Sequence, residues 1–180
     1  MKFRLLLILA SLTLTTPFTR ADQLLGIGAQ YQSITDFEDS GIGLNIRYGY
    51  AVTPQFSLQS EFSVTPAEAE QELFNSSGAS VGYIALWTNT FALYGKYEQP
   101  LGETFYVHGR VGALYYETEA DVCQGSCQTV TDSDSGLSYG AGAGVHLSPN
   151  LNAVADWTVI AEDAQYFGLT LEYRILAPSR

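Results

Sequence analysis

Apolar residues recur at every second position through most of this chain, in segments of about ten residues. In residues 42–50, for example, Ile, Leu and Tyr alternate with Gly, Asn and Arg. A period of two is that of a β-strand, whose side chains point alternately to two faces. Such segments begin near residues 24, 42, 56, 83, 105, 137, 151 and 167. The pattern therefore predicts an all-β chain of eight strands.

The polar face of these strands is the feature that separates a membrane barrel from a water-soluble one. In a water-soluble barrel, large apolar side chains would face solvent or charges would crowd a dry core. In lipid, the apolar face belongs outside and the polar face inside. We therefore predict an eight-stranded antiparallel up-and-down transmembrane β-barrel, with the phase of the fourth strand left open. The charges that share the polar face with glycines and serines are Arg47, Glu61, Lys96, Arg110, Asp156, Glu172 and Arg174.

Aromatic residues gather at both ends of the apolar face. A bilayer selects two such girdles at its two interfaces, whereas a simple preference of aromatic residues for strands does not predict two rims. Tight turns at Pro54, Pro100 and Pro149 are expected on one side of the membrane, and longer polar loops on the other. The girdle residues are Tyr31, Trp87, Tyr115 and Trp157 at one rim and Tyr48, Tyr50, Tyr97 and Tyr173 at the other, with Tyr83 assigned to the first rim as well.

Residues 1–21 predict a signal peptide, which leaves residues 22–180 as the barrel domain. Lys2 and Arg4 give a positive start, residues 5–14 form an apolar run, and Ala21 is a small residue suited to cleavage. The apolar run is too short to cross a bilayer as a helix. The protein is therefore expected to be exported to the outer membrane of a Gram-negative bacterium.

Cys123 and Cys127 are the two cysteines of the chain. An exported protein meets an oxidising compartment, which favours a local disulfide between them. A zinc site would need further ligands near this pair, and a redox motif would have the spacing Cys-x-x-Cys. We predict the disulfide.

Without residues 1–21, five Lys and Arg remain against nineteen Asp and Glu, a net charge of −14. Nucleic acid is therefore not an expected partner. The acids in the four predicted loops form either a solvated, repulsive face or a set of ligands for divalent cations that bridge to lipopolysaccharide phosphates. These loop acids are Asp36, Glu38, Asp39, Glu68, Glu70, Glu72, Glu117, Glu119, Asp121, Asp132, Asp134, Glu162 and Asp163.

Two segments resemble a known family, the small outer-membrane barrels of the OmpA transmembrane-domain and OmpX type. The resemblance covers nearly all of residues 22–180 and implies a barrel-only member, monomeric, inserted by the barrel-assembly machinery and surrounded by outer-membrane lipid and lipopolysaccharide. Such barrels usually end on an aromatic residue, whereas residues 176–180 here do not. The segments are Tyr48-Gly49-Tyr50 with Thr53-Pro54-Gln55-Phe56-Ser57-Leu58-Gln59-Ser60-Glu61-Phe62, and Tyr139-Gly140-Ala141-Gly142-Ala143-Gly144-Val145 with Ser148-Pro149-Asn150-Leu151.

The interior charges are expected to pair with one another, Arg47 with Glu61 first, because eight strands leave room for side chains but not for an open pore. Glycines 140, 142 and 144 would give long side chains space. A narrow path for ions or small solutes is the alternative.

His146 and Ser148, near acids such as Asp156, resemble the His, Ser and acidic residue of outer-membrane lipid A deacylases, which need an activated hydroxyl beside an oriented imidazole. Both residues precede a predicted periplasmic turn, the wrong end for outer-leaflet lipid. No catalytic, phosphate-binding or metal motif is present, and we expect no cofactor. The leading hypothesis is a non-enzymatic barrel with a structural or surface-interaction role, carried by its acidic loops towards an unidentified surface ligand.

Overall fold

A computed structural model describes residues 22–34, 41–67, 69–124, 126–161 and 164–175. The predicted signal peptide, the residues after 175 and the loop acids Asp36, Glu38, Asp39, Glu68, Glu162 and Asp163 lie outside the described residues. Within them, no helix is long and apolar enough to cross a membrane. The strands are β1 Gln23–Ile34, β2 Gly41–Ala51, β3 Phe56–Ala67, β4 Ala69–Phe74, β5 Ser80–Pro100, β6 Phe105–Gln124, β7 Ser126–Ser148, β8 Leu151–Ala161 and β9 Ala164–Ile175.

The strands close into an eight-stranded antiparallel barrel, which confirms the predicted fold class. β1 pairs with both β2 and β9, and the order then runs through β8, β7, β6 and β5. β3 and β4 share the eighth place, because β3 pairs with one half of β5 and β4 with the other half. Closure leaves no unpaired strand edge within the barrel wall, which a membrane requires.

The two faces of the wall differ as the alternation predicts. Along β2, residues are buried and exposed in turn. Ile46 is 60% exposed on the outside, whereas its neighbour Arg47 is 3% exposed on the inside. On β5, Phe91 and Leu93 are exposed while Tyr94 and Lys96 are buried. β5 corresponds to the fourth strand of the sequence analysis, for which the choice of inward and outward faces was left open. Its inward face is the one that carries Lys96.

Three strands continue well beyond the barrel, and here the sequence interpretation was wrong. Residues 116–136 were expected to form a polar loop, but β6 and β7 stay paired from Phe105 opposite Val145 to Gln124 opposite Ser126. Residues 69–74, also assigned to a loop, form β4 on the edge of β5. Residues 126–137 of β7 are all exposed, so their side chains carry no apolar alternation, while the backbone groups still pair with β6.

We call this extension the projecting sheet and define it as β4 with residues 80–87 of β5, 116–124 of β6 and 126–137 of β7. Its first hairpin turns at Asn75, whose side-chain oxygen accepts hydrogen bonds from the backbone N–H groups of Ser77 and Ala79. Gly78 closes the turn at φ +77°, a left-handed conformation that glycine adopts readily.

Candidate functional site

Arg47 lies at the centre of the ion pairs that fill the barrel. Its Nε is 2.5 Å from Oε2 of Glu61, the residue directly opposite it on β3. Its Nη1 is 2.5 Å from Oδ2 of Asp156 on β8 and 3.7 Å from Oε1 of Glu172 on β9. One guanidinium therefore joins carboxylates from three strands.

Arg110 and His108 extend the network from β6. Arg110 Nη1 donates to Glu61 Oε2 at 2.7 Å, and its Nη2 donates to the hydroxyl of Thr158. His108 Nε2 lies 2.6 Å from Asp156 Oδ1. Glu61 and Asp156 each thus hold two partners, which is how buried carboxylates are stabilised.

Lys96 completes the set nearer the end with the short turns. Its Nζ is 3.3 Å from Glu172 Oε2 and 3.0 Å from Glu98 Oε1. We call six residues the interior charge cluster: Arg47, Glu61, Lys96, Arg110, Asp156 and Glu172. The three cations and three anions in it are all nearly fully buried. Because their charges balance and their side chains pair, the cluster occupies the lumen rather than lining a channel.

The glycines of β7 make room for the residues that lie beside this cluster. Gly140, Gly142 and Gly144 lie directly opposite Arg110, His108 and Tyr106 of β6. A Cβ atom at Gly142 would lie 2.6 Å from Cε1 of His108, closer than real Cβ atoms approach. Gly142 and Gly144 are therefore a steric requirement of His108 and Tyr106, whereas Gly140 allows the close approach of β8 at Trp157 and Thr158.

A cluster of buried apolar residues, here called the apolar lid, lies in the lumen above the interior charge cluster, a feature that the sequence interpretation missed. It consists of Ala92, Tyr94, Leu114, Ile160 and Tyr166, each at most 4% exposed. β5 and β9 occupy opposite positions in the strand order, so the lid spans the barrel. Leu114 lies four residues from Arg110 on β6, and Ile160 lies four residues from Asp156 on β8, so each shares the inward face of its strand. This spacing was the sequence signal that could have placed both residues in the interior.

The lid and the interior charge cluster are joined through Tyr94. The Arg110 guanidinium lies 4.6 Å from the centre of the Tyr94 ring, a cation–π distance. The Tyr94 hydroxyl is 2.9 Å from the Ser138 hydroxyl on β7. The polar and apolar parts of the interior are therefore one packed unit.

Arg174 differs from the other predicted lumen charges. It has the inward parity of Glu172 but is half-buried, opposite Leu24 on β1. It lines a small cavity with Glu98 and the turn at residues 53–55. Arg174 thus belongs to the mouth at the end with the short turns and not to the interior charge cluster.

The residues considered for lipid hydrolysis do not assemble. Asp156 binds Arg47 and His108, whereas the Nδ1 atom of His146 is 2.8 Å from the Asn152 side-chain oxygen. Ser148 is exposed beside a turn. No group of three His, Cys, Asp or Glu side chains suited to a metal ion occurs in the described parts of the chain.

The outer aromatic girdle follows the strand pairing. Tyr31 lies opposite Phe167, which lies opposite Trp157, and Phe91 lies opposite Tyr115. All five are exposed on the outer face.

Two aromatic residues of β5 lie beyond this ring. Trp87 lies opposite Glu119, four residues past Phe91, and its indole N–H donates to the Glu119 carboxylate at 3.1 Å. Tyr83 lies opposite Cys123, still further out. Both belong to the projecting sheet, because β5 and β6 stay paired beyond the outer girdle.

At the other rim, Tyr48, Tyr97 and Tyr173 are exposed and Tyr50 is half-buried. Tyr48 and Tyr173 both lie opposite Leu25, so they flank β1 on its two sides.

The projecting sheet carries acids on both faces. Glu117, Glu119 and Asp121 follow one another at every second position of β6 and therefore share one face. Asp132 and Asp134 lie on the opposite face of β7, across from Thr118 and Tyr116. No Lys or Arg occurs between residues 110 and 174 or between 47 and 96. The projecting sheet is therefore acidic without any compensating cation.

A disulfide joins Cys123 and Cys127 at the tip of this sheet. The two residues lie directly opposite each other on β6 and β7, with Cα atoms 4.1 Å apart. The bond therefore fixes the register of the long hairpin at its far end.

A closed barrel with an apolar, aromatic-ringed exterior and an ion-paired interior defines an integral β-barrel protein of the outer membrane. A family model described as outer membrane protein beta-barrel domain matches residues 5–174, and the chain belongs to this family. No curated protein is significantly similar to it in sequence.

Solved structures share the fold at low sequence identity. The attachment invasion locus protein Ail of Yersinia pestis, in complex with the heparin analogue sucrose octasulfate, is 18% identical, with 87% of this chain and 100% of that chain covered and a TM-score of 0.56. The N-terminal barrel of Pseudomonas aeruginosa OprF is 14% identical, with 86% and 97% covered and a TM-score of 0.56. A major outer membrane protein of Thermus thermophilus is 15% identical, with 86% and 99% covered and a TM-score of 0.65.

Proposed function

We propose that this protein is a non-enzymatic recognition protein of the cell surface, in which the barrel is the anchor and the projecting sheet is the functional surface. The observation that carries the proposal is the length of β6 and β7. They remain paired to Gln124 and Ser126, whereas β7 and β8 pair only as far as Tyr139 opposite Val159. A purely structural barrel needs no such extension.

The charge of the projecting sheet defines the chemistry of its partner. Glu117, Glu119, Asp121, Asp132 and Asp134 favour a cationic ligand and disfavour sulfated polyanions. The Ail structure contains a heparin analogue, and the present surface has no Lys or Arg with which to bind such a ligand. The partner of this protein is therefore a cationic surface molecule.

We further propose that residues 1–21 direct export, that outer-membrane lipid and lipopolysaccharide surround the aromatic girdles, and that the barrel-assembly machinery inserts the chain as a monomer. The alternative of a narrow pore gains no support from the interior, because the charges of the interior charge cluster are paired and the lid lies above them.

The test is to shorten the projecting sheet without changing the barrel. Glu117 lies directly opposite Ser133, so residues 118–132 can be replaced by a two-residue Asn-Gly hairpin turn. We expect the shortened barrel to fold in detergent and to lose binding in a screen of cationic peptides and proteins.

The matched control retains the sheet and changes only its charge, by Glu117→Gln, Glu119→Gln and Asp121→Asn. It should weaken binding and reduce its dependence on salt. Binding that survives removal of residues 118–132 would refute the proposal.

A further inference from the structure

We propose that the outer edge of β7, residues 127–137, binds an extended cationic segment of another protein as an added β-strand. This inference rests on the proposed function of the projecting sheet as a recognition surface. It goes further by naming the edge, the mode of binding and the pattern of the ligand.

The edge is defined by what β7 pairs with. Residues 126–145 pair with β6 along one side. On the other side, pairing with β8 begins only at Tyr139. Among the described residues, nothing pairs with residues 126–137 on that side, and all twelve of these residues are exposed. Half of their backbone N–H and C=O groups therefore point away from β6 without a strand partner.

This edge carries one protective feature of exposed strands, the charged side chains of Asp132 and Asp134, but is otherwise long and regular. Such edges are usually short, bulged, or interrupted by Pro or Lys. Residues 126–138 contain neither Pro nor Lys, and the pairing of β6 with β7 shows no register shift. Thr129, Val130 and Thr131 favour the extended conformation. The other edge of the projecting sheet, β4, has only 6 residues. The long, regular edge is β7.

The acids on β7 define the ligand. Asp132 and Asp134 are two residues apart and so point to the same face. In an added strand, side chains directly opposite them would lie about 5 Å away, a distance at which opposite charges stabilise pairing. The ligand is therefore an extended segment with Lys or Arg at positions i and i+2. On the other face, its side chains would lie beside Thr129, Thr131 and Ser133.

The same charges disfavour a second copy of this chain as the occupant. An antiparallel pair of β7 edges would bring Asp132 and Asp134 of both copies close together, and like charges in cross-strand pairs destabilise a sheet. The edge is therefore open to a cationic strand while the barrels repel one another.

The experiment uses the full barrel in lipid nanodiscs and three synthetic ten-residue peptides. The first alternates Lys with Thr or Val, the second has the same composition with all Lys adjacent, and the third is the first peptide N-methylated at four consecutive central residues. We expect the first to bind and the third to bind roughly tenfold or more weakly, because N-methylation removes the backbone donors of both its edges. The second should bind more weakly than the first, because its Lys side chains cannot all lie on one face.

The three peptides separate the possible failures. Equal binding of the first and third peptides would overturn strand addition, leaving a charge-only contact consistent with the proposed function. Failure of all three peptides, while other cationic ligands bind and require residues 118–132, would also overturn it. If no cationic ligand needs those residues, both proposals fail.

Variants of the protein test the position of the edge. The double change Asp132→Asn and Asp134→Asn should weaken binding of the first peptide by roughly tenfold. Glu72→Gln, which removes an exposed acid from β4 on the opposite edge of the sheet, should leave binding unchanged. An equal effect of the two changes would show that only total charge matters and would overturn the assignment to β7.

A pair of proline substitutions adds a test of the backbone. Successive N–H groups of a strand point to opposite sides, so of Val130→Pro and Thr131→Pro one removes a donor facing the ligand and the other a donor to β6. Amide hydrogen exchange identifies the variant in which the hydrogen bonds between β6 and β7 are intact. That variant lacks the donor that faces the ligand, and we expect it to have lost peptide binding. Retained binding in that variant contradicts strand addition.

Discussion

Arg47 Nη1 and Asp156 Oδ2 lie 2.5 Å apart, although 109 positions separate the two residues in the chain. Their strands, β2 and β8, are not neighbours in the barrel, so this ion pair crosses the lumen. Arg47 also holds Glu61 on the adjacent strand. It is therefore the residue on which the packing of the interior charges most depends.

Replacing Arg47 should destabilise the barrel strongly. Arg47→Met leaves Glu61 and Asp156 buried with one partner fewer, and breaking a buried pair in this way costs about 3–5 kcal/mol. Urea unfolding in detergent or lipid measures the effect. Arg174→Met at the half-exposed mouth is the control, with an expected loss of about 1 kcal/mol or less. Equal losses for the two variants would contradict the central role of Arg47.

Adding a side chain at Gly142 should displace His108. Gly142→Val places Cβ 2.6 Å from His108 Cε1 and against the Ala155 carbonyl, an overpacking that typically costs about 1–3 kcal/mol. Gly136→Val is matched to it on the same strand, because nothing lies within 4 Å of a Cβ there. Unfolding midpoints of the two variants should differ clearly, and similar midpoints would contradict a steric role for Gly142.

The apolar band should respond to charge according to depth. Leu169 is 69% exposed on the outer face of β9, between the two girdles, so Leu169→Arg should cost about 2–4 kcal/mol. Leu137 is 71% exposed on β7, just beyond its last pairing with β8, and Leu137→Arg at this rim should cost about 1 kcal/mol or less. Stability in lipid vesicles measures both variants. A cost at Leu137 as large as that at Leu169 would contradict the assigned membrane position.

The disulfide should stabilise the tip of the projecting sheet and leave the barrel unaffected. In the double change Cys123→Ser and Cys127→Ser, amide hydrogen exchange should become faster in residues 118–132. Residues 139–145 of the same strand serve as the internal control, since they pair on both sides within the barrel. Faster exchange in both regions would show that the bond supports the whole fold.

The closed lumen predicts that the protein does not conduct ions in planar bilayers. The double change Leu114→Ser and Ile160→Ser should hydrate the apolar lid but still give no single-channel events, because the interior charge cluster remains paired across the lumen below it. Val111→Ser, on the lipid-facing side of the same strand, is the control and should remain silent. Steady conductance by the unchanged protein would contradict the closed interior and favour the pore.

The sequence by itself determined the fold class and the direction of most side chains. Parity along a strand is a local property, so the position of Arg47 among glycines and serines was enough to place it inside. The contact between Arg47 and Glu61 could be predicted because the two residues lie on neighbouring strands joined by one tight turn. The extension of β6 and β7 could not be predicted, since a strand with water on both faces carries no apolar alternation.

Only the tertiary structure decided which distant residues meet. The contact of Arg47 with Asp156, and the convergence of Leu114 and Ile160 in the lid, depend on the stagger of the strands around the closed barrel. That stagger is set by the hydrogen-bond register of all eight strands together. The sequence of a single strand does not specify this stagger. The bilayer requires every strand to pair with its neighbours, but the packing of the whole interior selects the register in which they pair.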